Sequence, residues 1–313
     1  MQTEYHVYHT TACAKKKVTI RWHMRYNDSM YKGGKPVKIG LSTAAFYGRW
    51  ETEEAAAHLS DYGAECAEAF LQTRGEMTRG FAEDVRQKLD GIPCTSMHPK
   101  GTLFENELFG RSPRQHAEGC DFFRRALDAA AELGAAYYVY HGWHSSTGSK
   151  MAFDAQKNAD IVGKMQMEAA KRGIRVAWEN VSWCQLTTPE RVTEMRRWLP
   201  DIGFTLDIKQ AMRVGRAPTE FIGAMGGQLV NVHICDWQSD GALCLPGEGS
   251  FDFDAFILAL KREGYDGPII VEPYLALIRS DEKLRQSLNK MKASEEMADK
   301  ILTARIDENA NAE

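Results

Sequence analysis

From residue 37 onward, short β-rich apolar runs alternate with longer stretches in which apolar residues recur every three or four positions. The short runs are KIGLSTAAF (38–46), ECAEAFL (65–71), IPCTSMH (92–98), AAYYVYHG (135–142), IRVAWENV (174–181), IGFTLDI (202–208), LVNVHIC (229–235) and GPIIVEPY (267–274). Between them lie helical patterns such as CDFFRRALDAAAELG and FDAFILALKREG, each closing on a glycine. Repetition of strand and helix implies parallel pairing through right-handed crossovers. Eight such units in roughly 240 residues predict an α/β fold, a single (β/α)8 or TIM barrel spanning 37–306 and closed by a helix over about 280–304. A doubly wound sheet would open on a glycine-rich turn, and the segment from Ser42 to Arg49 has no GxGxxG. Residues 1–36 stand outside the repeat: VTIRWHMRY alternates apolar and polar positions, which predicts either a strand of an appended hairpin or a loose extension ahead of a start near Met30. The polar segment 307–313 is expected to fray.

Barrel strands send alternate side chains to the helices and to the axis. In IGFTLDI, the bulky Ile202, Phe204, Leu206 and Ile208 suit the helix side, which turns Gly203, Thr205 and Asp207 inward. The same phasing turns Arg175, Ala177 and Glu179 inward in IRVAWENV, and Pro268, Ile270 and Glu272 in GPIIVEPY. In LVNVHIC, Val230, Val232 and Ile234 face the helices, while Asn231, His233 and Cys235 face the axis. Four successive strands thus place Glu179, Asp207, His233 and Glu272 inward near their C-terminal ends, where this fold builds its active sites. Three carboxylates converging in a partly dry pocket repel one another and each pays for lost hydration, unless a cation holds them. One imidazole with three carboxylates is a hard, oxygen-rich donor set that favours Mn²⁺, Mg²⁺ or Co²⁺, with Zn²⁺ also compatible.

Taken singly, each of these residues has an ordinary structural use, and it is their shared phase and shared end of the barrel that give the set its weight. Other inward residues leave alternatives open. His98 and His141 are candidates to contact substrate or a second metal, or to pack as core and loop residues. Lys209 points either at an anionic substrate group or outward to solvent. Glu68 either touches a substrate hydroxyl or forms a salt bridge with Arg175. Trp143, Trp183 and Trp237 follow strand segments and either stack on a substrate ring or pack under loops.

Composition narrows the partners. The chain has 313 residues, 43% hydrophobic and 26% charged, as expected of a globular protein with a full core. With 39 basic against 43 acidic residues and no basic run beyond Lys15–Lys17, it lacks the positive footprint that duplex nucleic acid demands. Seven cysteines without a CxxC pair read as reduced thiols. No run reaches the length of a membrane span, and the N-terminus lacks the apolar stretch of a signal peptide, so a cytoplasmic location is expected. Exposed barrel helices leave room for a homo-oligomer.

The motifs resemble those of the xylose isomerase-like TIM barrels, which include sugar phosphate isomerases/epimerases and endonuclease IV. The resemblance covers about residues 37–275 and is carried by SMHP, YYVYHG, AWEN, TLDIKQA, VHICDW followed by LPGEGSFDF, and IIVEPY. It implies that Glu179, Asp207, His233 and Glu272 form the single-metal quartet of keto-sugar epimerases, with Glu179 and Glu272 also transferring protons, and that Gln210 and Asp236 lie near the substrate. Endonuclease IV-like members need further ligands at places held here by Gln210, Gly241 and Leu243. The implied activity is a metal-dependent isomerase or epimerase of a small carbohydrate, acting through a cis-enediolate. The alternatives are a sugar-acid or cyclitol dehydratase on the same site and, third, a phosphodiesterase. Loops 99–115 and 142–155 are expected to set the substrate.

Overall fold

The computed structural model describes residues 36–101, 103–144 and 153–310, together with two strands ahead of them. Those two, β1 (Glu4–Val7) and β2 (Val18–Arg21), pair antiparallel, with Glu4 opposite Arg21 and Val7 opposite Val18. The rest of the segment read as hairpin or extension, like residues 311–313, lies outside the described residues.

Eight strands follow: β3 (Ile39–Ser42), β4 (Ala67–Leu71), β5 (Cys94–Pro99), β6 (Tyr137–Tyr140), β7 (Arg175–Glu179), β8 (Gly203–Asp207), β9 (Leu229–Ile234) and, after the short β10 (Asp236–Trp237) and β11 (Leu243–Cys244), β12 (Ile269–Val271). They close in the order β12-β3-β4-β5-β6-β7-β8-β9, every neighbouring pair parallel. The helices are α1 (Thr52–His58), α2 (Arg79–Lys88), α3 (Pro113–Leu133), α4 (Ala155–Ala170), α5 (Pro189–Trp198), α6 (Ile208–Arg213), α7 (Pro218–Met225), α8 (Phe253–Arg262) and α9 (Asp281–Ala310). The closing helix therefore runs past the expected 304. This is the (β/α)8 barrel that the alternation predicts.

Local chemistry explains where the helices begin and end. Asp154 and Asp252 cap α4 and α8 by accepting the N–H groups of Lys157 and Ala255. Pro113 opens α3, and Gly134, at φ 76°, ends it in the left-handed region that a side chain resists. Outward residues such as Leu41, Val176, Trp178, Phe204, Val232 and Val271 are buried in the layer between strands and helices. Val230 departs from the expected phase. The β8–β9 register shifts after Phe204, and Val230 packs on Gly203, where a Cβ would lie 2.5 Å from its Cγ2.

Closure of the barrel is latched by charge. Lys261 of α8, only 1% exposed, pairs with Glu295 and Asp299 of α9. Glu295 Oε1 also accepts the Val37 N–H at 2.9 Å, tying the entry to β3 to the same helix. Removing Lys261 strands the buried Glu295 carboxylate, so Lys261→Ala should cost about 3–5 kcal/mol of stability. Urea denaturation checks this, and a loss under about 1 kcal/mol would show that the latch contributes little.

Candidate metal centre at the barrel mouth

The deepest element of the mouth is Glu68, which is 0% exposed and central to a ring of donors. Its Oε1 lies 3.4 Å from Ser42 Oγ and 3.3 Å from His98 Nδ1. Its Oε2 takes Ser96 Oγ at 2.7 Å, Asn231 Nδ2 at 3.1 Å and His233 Nε2 at 2.9 Å. Glu68 is not paired with Arg175, which donates instead to the carbonyls of Asp201 and Ile202, and its oxygens are held by donors inside the barrel. Burial alone would raise the Glu68 carboxyl, but the charge and hydrogen bond of His233, with those of His98, hold it well below the usual range.

An ionised Glu68 accepts only, so His233 must donate through Nε2. Its other nitrogen, Nδ1, is buried without a hydrogen-bond partner. That atom lies 3.8 Å from Glu179 Oε1 and 3.5 Å from Glu272 Oε2. Asp207 belongs to the same cluster, one ligand atom from each of Glu179, Asp207 and His233 lying within 4.8 Å of the others. A carboxylate behind an imidazole whose free nitrogen faces further carboxylates is the arrangement that orients a metal-ligating histidine. The donors of Glu179, Asp207 and His233 therefore fit a divalent ion, while Glu272 groups with His233, Glu68 and His98 on the adjoining side.

The ends of β7 and β8 are stitched together. Asn180 Oδ1 accepts the Asp207 N–H at 2.7 Å, and its Nδ2 donates to the Asp207 carbonyl at 3.0 Å. Asp207 Oδ1 caps α6 by accepting the Gln210 N–H at 2.9 Å, leaving Oδ2 toward the well. Lys209 enters the well as well, its Nζ 3.4 Å from Asp207 Oδ2 and 3.6 Å from Glu272 Oε2, which decides against a solvent-facing lysine. Gln210 reaches Ser182 instead, its Oε1 accepting Ser182 N and Oγ.

His98 and His141 both join the cluster. His98 Nδ1 is 3.4 Å from Glu272 Oε1, and its Nε2 is 2.8 Å from His141 Nε2. His141 Nε2 lies 3.1 Å from Glu179 Oε2. Burial opposes charge on His98, but hydrogen bonds to Glu272 and Glu68 raise it to about 10. His233 is likewise held well above the usual imidazole value, against burial, by the charges of Glu68 and Glu272. Glu179 and Glu272 lie below the ordinary carboxylate value because nearby histidines, and Lys209 for Glu272, outweigh burial. For Asp207, burial prevails over Lys209 and raises the carboxyl to about 6.

Asp236 is held by backbone donors. Its Oδ1 accepts the N–H groups of Trp237 and Phe251, and its Oδ2 those of Gly247 and Gly249. Those bonds fold the LPGEGSF loop back on β10, so the side chain shapes the rim. At Gly249 a Cβ would fall 2.4 Å from Asp236 Oδ1, which explains the glycine. Trp143 packs against the core. Trp183 is 46% exposed, with its ring edge-on to His141 at 5.6 Å and His144 at 5.2 Å. Sequence reasoning missed Asn180, Ser96 and the fully buried Glu105, whose Oε2 accepts the His141 N–H and whose carboxyl burial pushes well above the usual range. AWEN contained the Asn180 signal; Glu105 opens a short 3₁₀ turn, Glu105–Phe109, that no periodicity marks.

Residues 56–294 match the family described as xylose isomerase-like TIM barrel. The chain belongs to that family. Curated relatives of this xylose isomerase-like barrel include a ketose epimerase and a dehydratase. A ketose 3-epimerase of Arthrobacter globiformis is 29% identical over 176 residues, 54% of this chain and 60% of that protein. A 3-dehydroshikimate dehydratase of Pseudomonas putida is 25% identical over 215 residues, 62% of this chain and 31% of that protein. The chain therefore spans less than two thirds of either relative. Similar solved structures include D-psicose 3-epimerase in the presence of D-fructose, with TM-score 0.69 and 16% identity over 82% of this chain and 99% of that one. The 3-keto-D-glucoside 4-epimerase YcjR of E. coli gives 0.65 and 19% over 82% and 99%. The IOLI protein with a bound zinc atom gives 0.66 and 19% over 83% and 98%. At such identities the likeness speaks for the fold. Among the described residues no helix is long and apolar enough to cross a membrane, and the six described cysteines are free thiols.

An ion at this centre has to displace the proton that His233 carries and, toward acid, compete for Asp207. The folded site binds more protons without an ion than with one, so affinity must fall as pH falls, roughly tenfold per pH unit for each proton displaced. Calorimetric Mn²⁺ titrations should show this weakening from pH 8 downward, steepening below about 6 as Asp207 takes up its proton. Affinity independent of pH would contradict the assignment.

Proposed function

We propose that the chain is a metal-dependent isomerase or epimerase of a sugar or sugar derivative, moving a proton to and from a carbon beside a carbonyl through a cis-enediolate. The observation that carries this reading is that Glu179 and Glu272, whose strands flank β8 and β9 in the barrel, both face the one unpartnered nitrogen of His233. Glu179, Asp207, His233 and Glu272 would hold one ion, with Mn²⁺, Mg²⁺ or Co²⁺ favoured by the oxygen-rich set and Zn²⁺ compatible. The chemistry supplied by a bound ion is polarisation of the carbonyl and compensation of the negative charge on the deprotonated sugar.

The chain's own side chains do the rest. One of the two glutamates takes the C–H proton as base and the other returns a proton as acid. Return to the opposite face gives an epimer, and return to the neighbouring carbon gives an aldose–ketose pair. His98 and His141 are placed to hold hydroxyl groups, and the exposed Trp183 offers a wall for one sugar face. Glu68 supports the reaction indirectly by orienting His98 and His233. The ketose 3-epimerase relative supports the reading. The dehydratase relative favours a second one on the same site, in which proton removal is followed by loss of a hydroxyl as water. A three-metal nuclease is disfavoured, since Gln210 is turned to Ser182 and Leu243 pairs with Trp237 in the β10–β11 ribbon.

The test is a ketose panel in D₂O with Mn²⁺. Wild type should wash solvent deuterium into a carbon position of at least one ketose, and a chelator should abolish the exchange. Glu179→Gln and Glu272→Gln should each lower exchange by at least 10³-fold. Normal exchange by both variants would overturn the assignment, while water release without an exchanged sugar product would favour the dehydratase.

A further inference from the structure

Lys209 stands where the ion's charge is needed. Asp207 has spent Oδ1 on the α6 cap, so Oδ2 is its free oxygen, and Lys209 Nζ lies 3.4 Å from it. Glu272 turns Oε1 toward His98 at 3.4 Å, leaving Oε2, which lies 3.5 Å from His233 Nδ1 and 3.6 Å from Lys209 Nζ. The ammonium thus faces the same two oxygens that an ion seated against His233 Nδ1 would use. Its side chain is only 6% exposed and lies 4.9 Å from the ring centre of Tyr274, so it is enclosed rather than swinging in solvent. It rises from the first turn of α6, whose start Asn180 clamps to the end of β7.

We propose that Lys209 is a resident counter-cation of the metal centre. In the metal-free chain its ammonium neutralises Asp207 and Glu272, and on loading it must share or surrender their oxygens to the incoming ion. The inference rests on the metal reading above and concerns how that site is regulated. Two consequences follow from Coulomb's law. A fixed positive charge beside the ion weakens its binding and keeps it exchangeable. The same charge lets the empty barrel stay folded with its carboxylates compensated, so the protein does not depend on metal for its structure.

The experiment compares wild type with Lys209→Met, Lys209→Gln and the charge-keeping Lys209→Arg, by Mn²⁺ calorimetry at one pH and by thermal unfolding with and without Mn²⁺. Both neutral variants should bind Mn²⁺ at least tenfold more tightly than wild type. They should melt at lower temperature without the ion and gain more from saturating Mn²⁺. Lys209→Arg should stay near wild type. Affinities of both neutral variants within twofold of wild type, or weaker, would overturn the proposal. If wild type takes up no Mn²⁺ but the neutral variants do, the role of Lys209 stands and the metal-dependent activity of the native chain falls. If none of the four binds, both fall.

Discussion

Four carboxylates share one enclosed space at the mouth of this barrel, and everything around them answers to that fact. Glu68, Glu179, Asp207 and Glu272 are all at least nine-tenths buried, against the buried cationic partners His98, His233 and Lys209. Crowding four carboxylates into one buried site makes any charge left uncompensated expensive. The structure meets that cost partly by raising Asp207, the carboxyl that is cheapest to protonate, and partly by arranging donors that a divalent ion would complete. Structural economy and candidate chemistry are here the same arrangement.

The barrel itself follows from plain periodicities. Eight apolar runs, each followed by a helical stretch, admit few topologies once crossovers must be right-handed. The phase of each run then decides which side chains face the axis. That is why Glu179, Asp207, His233 and Glu272 could be assembled from single strands, and why His98 and His141 were found alongside them. The family match over residues 56–294 agrees with the order of motifs along the chain.

What escaped the pattern did so for identifiable reasons. Alternation reports the side a residue faces, not its height along the barrel axis. Height depends on stagger between strands, and stagger sets Glu68 beside Ser96, one inward step from His98, while Arg175 sits at the other end of β7. Alternation also stops where a strand stops, so it says nothing of the four backbone donors that hold Asp236. A bulge defeated the phase of Val230. The positions of Trp143, Trp183 and Glu105 depend on the paths of the connections between strands and helices, which carry no period.

The proposed divalent ion sits between His233 Nδ1 and the carboxylates of Glu179, Asp207 and Glu272. Anomalous diffraction from crystals of the protein soaked in Mn²⁺ tests it most directly. A single strong peak is expected at that point, with Lys209 shifted or sharing the oxygens of Asp207 and Glu272. A map without a peak there, or with its strongest peak elsewhere on the protein, would contradict it.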